Sequence, residues 1–424
     1  MATIQVPYYN TSMACTVPDE RIVGVLTPKP LPEKTEAEQK EIVSAALQAP
    51  IGSERLSELV RGKQRVLVIT SDHTRPLPSS ITMPLLLSEI RAGAPEAQIH
   101  LLIATGCHRA MTAQEIEARF GKEIADNETI LVHDAKDDKA MVFKGVMPSG
   151  GELWVNDQVD WADIVLSEGF IEPHFFAGFS GGRKSILPGI ASEKTVYFNH
   201  NAEFIASDKA RNGILEGNPI HEDMAFAARA AGLEFILNVC LNEHKQVVRA
   251  FAGDPFEAHR IGCEFVGNQA QAPKIEADIV VTGNGGYPLD LNIYQAVKCM
   301  SGAEPCVKEG GVIIAVCSCI DGHGSDGFYQ LFRENKGADA VMAAICDRGR
   351  DGTLPDQWQA QVLARVMKKA SIILVTRHCE KALVDEFGFG FAEDFAAALE
   401  QAQAIAGQNA SVLFMPNGVE VMAR

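Results

Sequence analysis

Short apolar runs rich in β-branched residues recur along the chain, separated by stretches in which apolar positions return every three or four residues. Arg65 to Ser71 (RVLVITS), His100 to Thr105 (HLLIAT), Thr129 to His133 (TILVH) and Asp163 to Ser167 (DIVLS) are apolar almost throughout instead of alternating. Runs of that kind read as parallel strands covered on both faces. The intervening segments, among them MPLLLSEIRAGA and TAQEIEARFG, carry helical spacing. The alternation predicts an α/β architecture with a largely parallel sheet. After Pro273 the pattern resumes with Asp278 to Thr282, Gly311 to Cys317, Ser371 to Thr376 and Ser411 to Met415, so a second α/β domain is expected. The polar, proline-bearing stretch NQAQAPKIEAD precedes the restart and locates the boundary: an N-terminal domain over 1–270 and a C-terminal domain over 271–424.

Length and charge narrow the function. A chain of 424 residues, 46% hydrophobic, exceeds one typical core, which agrees with two domains. The balance of 38 basic against 55 acidic residues, −17 in all, argues against a nucleic-acid or membrane-surface partner and requires a local basic pocket for any small anion. The opening MATIQVPYYNTSMACTV lacks the basic-then-apolar pattern of a signal peptide, and a cytoplasmic location is expected. Ten cysteines are dispersed without paired C-x-x-C knuckles, so they are expected to be reduced core thiols.

In open parallel sheets, ligands bind outside the carboxyl ends of the strands. The first strand ends in SDHTRP, offering Asp72 and Arg75, and the second ends in TGCHR, offering His108. The fourth ends in SEGFIEPH, offering His174, while the second domain's first strand runs into GNGGYPLDLNIYQAVK, offering Tyr294, Gln295 and Lys298. Polar groups from both domains are therefore expected at one interdomain cleft. Asp72 is also a natural cap or a partner for Arg75. Arg75 can fork onto a carboxylate. Between His174 and His200 lies a glycine-dense turn, GFSGGRKS, whose Gly178, Gly181 and Gly182 can take positive φ and admit a ligand close to the backbone. Lys184 on that turn supplies a charge or a nucleophilic amine, and imidazoles beside it can carry protons or bind nickel, zinc or iron.

Two familiar nucleotide motifs fail. GFSGGRKS places Arg183 where the G-x-x-x-x-G-K-[ST] loop needs glycine, although Arg183 and backbone amides could still hold a phosphate. No G-x-G-x-x-G follows an early strand; GNGGY is nearest and lacks the last glycine, which argues against a nicotinamide dehydrogenase.

Together the strings SDHTRP, ATGCHR, SEGFIEPHFFAGFSGGRKSILPGIAS, NGGYPLDLNIYQAVK, KEGGVII, DGHGSDGFY and PDQW resemble the nickel-dependent lactate racemase family over nearly the full chain. The resemblance implies a two-domain protein holding a nickel pincer nucleotide, a pyridinium-3-thioamide-5-thiocarboxylic acid mononucleotide carrying nickel, in the interdomain cleft. It implies covalent attachment through Lys184, nickel coordination by His200, and Asp72, Arg183 and Ser185 on the cofactor side. His108 and His174 would be the two acid/base residues, Arg75, Gln295 and Lys298 would hold the substrate carboxylate, and Tyr294 and Trp358 would line the pocket. The implied reaction racemises a small 2-hydroxy acid by reversible hydride transfer from Cα through a bound 2-oxo acid. Lactate is the default substrate, with malate or 2-hydroxyglutarate as options, and cofactor-maturation proteins are the implied partners. Cys107, Ala110 and Cys299 depart from the family pattern near the pocket. The competing classes are an NAD-independent hydroxy acid oxidoreductase and a non-catalytic nickel- or nucleotide-binding protein.

Overall fold

The computed structural model describes residues 1–424 and consists of two six-stranded sheets flanked by helices. The first sheet runs in the order Val247–Gly253, Leu233–Leu241, Ile164–Phe170, Arg65–Ser71, Gln98–Ala104, Thr129–Val132. Only the edge strand Val247–Gly253 is antiparallel to its neighbour. The chain starts at the centre with Arg65–Ser71, builds outward to one side, then returns to Ile164–Phe170 on the other. The switch point therefore lies between these two strands, where loops diverge and leave a crevice.

The second sheet is wholly parallel, in the order Gly390–Ala392, Ser371–Val375, Val307–Val316, Ala277–Gly283, Val412–Met415, Ile22–Val25. Its last strand comes from the start of the chain. Ahead of it a hairpin, Ala2–Tyr8 with Thr11–Val17, buries Val6, Tyr8, Met13, Cys15 and Val17 against Ile279, Val281 and Val312. The first 26 residues thus lie with the second sheet, although the boundary expected from composition put them with the first. Apolar periodicity marks a strand without saying which sheet receives it.

Side chains alternate between the faces of each sheet, as the two-residue period requires. Val66 and Val68 pack under the helices Glu36–Gln48 and Ser79–Gly93, whereas Leu67 and Ile69 face the larger core. Ile279 and Val281 pack toward the hairpin, and Val280 joins that same larger core, which is continuous between the two sheets. Several helices begin with a side-chain cap; Thr35 and Thr112 each form a reciprocal capping box with a glutamate three residues on. No helix is long and apolar enough to cross a membrane.

Candidate active site

Loops from the carboxyl ends of both sheets surround a cleft of about 770 Å³. Its lining includes Asp72, Arg75, His108, His174, Lys184, Ser185 and His200 from the first sheet's side and Tyr294, Gln295, Lys298 and Trp358 from the second's.

The loop after Arg65–Ser71 is shaped by Asp72, whose Oδ1 accepts from the Thr74 amide at 3.0 Å and the Thr74 hydroxyl at 2.6 Å. Such aspartate turns let a short polar side chain replace backbone pairing. The other oxygen, Oδ2, lies 2.7 Å from His108 Nδ1. Asp72 therefore caps its own loop and also orients a histidine from the next strand's loop. Burial alone would raise its carboxyl, but the His108 hydrogen bond and the charges of His108 and Arg75 outweigh it and keep the acid ionised. An ionised carboxylate only accepts, so His108 donates through Nδ1–H and, when neutral, turns an unprotonated Nε2 outward. The His108 side chain is 43% exposed at the cleft wall.

His174 sits on a two-residue strand paired with Gly178–Phe179. Within that tight hairpin the Ala177 amide donates to His174 Nδ1 at 3.2 Å, while Nε2 lies 3.2 Å from Lys184 Nζ. A nitrogen that accepts an amide carries no proton, so the neutral His174 ring holds its hydrogen on Nε2 and the amine must be the acceptor. Both groups are shifted to match. Burial, then Lys184, Lys298 and Arg75, push His174 well below the usual imidazole range, and burial, then Arg183, Arg75 and Lys298, push Lys184 well below the usual lysine range. An uncharged amine is nucleophilic.

His200 follows the helix Glu193–Asn199 and is buried, edge-on to Phe176 and Trp358 with ring centroids 5.1 Å from each. Burial, then Lys184, depress it to about 3, so it is neutral. Its Nδ1 is buried without a hydrogen-bond partner.

From the second domain, Asn292 caps the helix Ile293–Ala303 by accepting from the Gln295 amide at 3.0 Å. That start aims Tyr294 and Gln295 into the cleft, with Lys298 one turn on. Burial, then Arg75, lower Lys298 to about 8. The buried Gln295 Oε1 has no partner. Tyr294 donates to Asp356 Oδ1 at 2.9 Å and Ser325 to Oδ2 at 2.6 Å, and Asp356 leads into the helix that carries Trp358. Arg75, Lys184 and Lys298 thus converge from both domains with no ion pair among them, each Coulombically disfavouring the next.

One sequence expectation needs correction. Arg183 does not face the cleft. Its guanidinium donates to the carbonyls of Phe179 and Ala177, each at 2.7 Å, and to His221 Nδ1 at 3.0 Å, so it ties the glycine turn together from behind. The glycines take the expected positive φ, and Gly181 and Gly182 line the cleft, but all three also yield space to the protein behind the turn. A Cβ on Gly182 would meet the His259 ring at 2.8 Å, one on Gly181 the Asn238 Oδ1 at 2.6 Å, and one on Gly178 the Ile214 carbonyl at 2.3 Å. Asn238 already accepts the Gly182 amide at 2.8 Å. Ser185 lines the cleft, yet its hydroxyl donates back to the Gly182 carbonyl at 2.8 Å. Of the departures noted in sequence, Cys107 is exposed on the cleft wall, whereas Cys299 is buried with Sγ 3.9 Å from that of Cys317.

Sequence reasoning missed Asp356, Thr74 and Asn238. PDQW was quoted without weight on its aspartate, and Asn238 lies mid-strand in an apolar run, where a lone amide was the available signal.

The family model described as lactate racemase N-terminal domain matches residues 8–213, and that described as lactate racemase C-terminal domain matches residues 272–423. The chain is 49% identical to a lactate racemase from Thermoanaerobacterium thermosaccharolyticum and 45% identical to one from Lactiplantibacillus plantarum, each over 424 residues and the full length of both chains. It superposes on the solved lactate racemase apoprotein of the former organism with a TM-score of 0.96, covering 100% of both chains. A Thermotoga maritima protein at 19% identity shares the fold, with a TM-score of 0.65 over 91% of this chain.

Proposed function

The chain belongs to the lactate racemase family, and on that premise we propose that it interconverts the two hands of a small 2-hydroxy acid, with lactate as the default substrate. One observation carries the reading: two cationic side chains, Arg75 and Lys298, face one cleft beside the uncharged Lys184 amine without carboxylate partners, in a chain of net charge −17. Unpaired cations held away from bulk water favour an anion. Arg75 and Lys298, from opposite walls, suit a carboxylate, and the free Gln295 Oε1 can accept from a substrate hydroxyl.

The donor set also suits the nickel pincer nucleotide. His200 is a neutral imidazole with an orphaned nitrogen, and Lys184 is an uncharged amine in position for attachment. No group of three or more His, Cys, Asp or Glu side chains converges, so a metal here would have to arrive with donors of its own. When bound, that cofactor would supply an acceptor for the Cα hydride, sparing the enzyme an α-carbanion beside a carboxylate. The chain's part is proton transfer and anchoring. His108, in its neutral form with the Nδ1 hydrogen directed to Asp72, takes the hydroxyl proton at Nε2 from one hand of the substrate. For the other hand His174 must accept at Nε2, which requires its own proton to move to Nδ1 and the Ala177 amide to be released. Arg75 and Lys298 keep the carboxylate fixed while the 2-oxo acid presents its other face. Loading by maturation proteins and a reducing cytoplasmic setting belong to the same proposal; all ten cysteines are free thiols.

Chiral chromatography of matured protein with D- or L-lactate, without added NAD, tests the proposal. Interconversion without net 2-oxo acid is expected, and His108→Ala and His174→Ala should each lose roughly 100-fold or more, the usual contribution of a positioned base. Accumulation of 2-oxo acid, or full activity in either variant, would refute it. Replacing lactate by malate and 2-hydroxyglutarate in the same assay ranks the substrates.

A further inference from the structure

We propose that His174 has a second duty besides proton transfer: through Nε2–H it holds the Lys184 amine uncharged and aimed, so that the cofactor-free chain presents a pre-activated nucleophile toward anionic aromatic carbonyl compounds. The inference rests on the cofactor reading only in naming the natural electrophile.

The chain of contacts is short. The Ala177 amide occupies His174 Nδ1 at 3.2 Å, which leaves Nε2 as donor, and Lys184 Nζ at 3.2 Å as the acceptor of that hydrogen. An ammonium has no lone pair to accept with, so the contact exists only for the free amine. The hairpin Pro173–His174 with Gly178–Phe179 locks the imidazole, and the turn Gly182–Ser185, tied by Arg183, locks the lysine backbone. His174 also packs against Phe175 and Phe176, at 5.0 and 4.6 Å between centroids, which limits its ring rotation.

The charged groups around the amine push the same way. Arg183 from its own turn, Arg75 from the loop after Arg65–Ser71 and Lys298 from the helix Ile293–Ala303 all disfavour an ammonium, with Glu172 opposing them. His200, also facing the site, is neutral. Arg75 and Lys298 would in addition gather an anion next to the amine. In the attachment that the cofactor reading implies, the nitrogen would bond to the carbon of a thiocarboxylic acid, whose oxygen would leave as water with one hydrogen from the amine and one from the thiol, leaving a thioamide with no change of oxidation state. With an aldehyde, the nitrogen–carbon bond forms and both water hydrogens come from the amine.

Pyridoxal 5′-phosphate, a phosphorylated aromatic aldehyde, serves as the probe on cofactor-free protein, with borohydride trapping and peptide mass mapping. The adduct is expected on Lys184, at a rate already maximal near neutral pH. His174→Ala admits water to the amine and removes its donor. Reaction should then slow about tenfold or more at pH 7, the consequence of an amine pKa at least one unit above that pH, and recover at alkaline pH. His174→Gln, which keeps an N–H donor, should restore part of the rate; the alkaline recovery shows that each variant retains a folded site. An adduct on Lys298, or a His174→Ala rate–pH profile equal to that of the parent, would overturn the proposal, because the surrounding cations would then account for the whole effect. Since no turnover is measured, a negative result leaves the racemase reading standing, and failed racemisation leaves this one standing.

Discussion

Replacing Asp72 by asparagine changes one atom and should reverse the proton on His108. Asp72 Oδ1 is held by the Thr74 amide at 3.0 Å and its hydroxyl at 2.6 Å, while Oδ2 faces His108 Nδ1 at 2.7 Å. An asparagine must keep its oxygen toward the Thr74 amide, which turns its NH₂ toward His108. Nδ1 would then have to accept, the ring proton would move to Nε2, and the base directed at the substrate would be lost. A hydrogen bond to a charged group contributes about 1.5–3 kcal/mol. At about 1.4 kcal/mol per decade this sets a minimum loss of roughly 10- to 150-fold in kcat; wrong-tautomer substitutions in Ser-His-Asp enzymes reach about 10⁴-fold. Racemisation followed by chiral chromatography, together with intact-protein mass to verify cofactor loading, separates the outcomes. Loaded Asp72→Asn protein with unchanged kcat, or with only a raised KM, would refute the assignment of Asp72 as the group that positions His108.

Lys298 ionises near 8, lowered by burial and then by Arg75, so it is charged below that pH and neutral above it. Carboxylate binding should weaken as pH rises through 8, seen as rising KM, and Lys298→Met should remove that dependence while raising KM throughout. A Cβ at Gly182 would lie 2.8 Å from the His259 ring at a φ of +52°, so Gly182→Ala should lower stability by about 1–3 kcal/mol and impair covalent retention of the cofactor, both readable by thermal melting and mass spectrometry. His133 and His259 are buried, 2% and 4% exposed, and depressed to about 4 and about 3, chiefly by burial. They stay neutral in the fold but protonate near 6.5 when unfolded. Their contribution is therefore intact above 6.5 and lost as pH falls toward 4, each by about 1.4 kcal/mol per unit. Urea titrations at pH 7 and pH 5 should show this loss, and His133→Gln should reduce it.

Much of the fold was legible because its central strands are continuous apolar runs: Arg65–Ser71 and Ser371–Val375 lie within one residue of their expected ends. Leu233–Leu241 and Val247–Gly253 escaped notice, and Ile22–Val25 is only four residues long, too short for its pattern to declare a partner. In the site, His108, His174, Lys184 and His200 were singled out from their position at strand ends or around the glycine turn, and the fold brings them to one cleft.

Local order was decided by the sequence alone: where most of the central strands begin and end, which polar residues leave their carboxyl ends, and that a lysine rides a glycine turn between two histidines. Tertiary structure alone decided what each polar atom meets. Arg183 turns back to His221, the glycines yield space to Asn238 and His259, and Asp72 takes the Nδ1 hydrogen of His108. The reason is physical: backbone conformation follows from neighbours a few positions away, whereas the bonds Asp72–His108, Arg183–His221 and Gly182–Asn238 join groups tens of residues distant. Those groups meet only once the chain has folded.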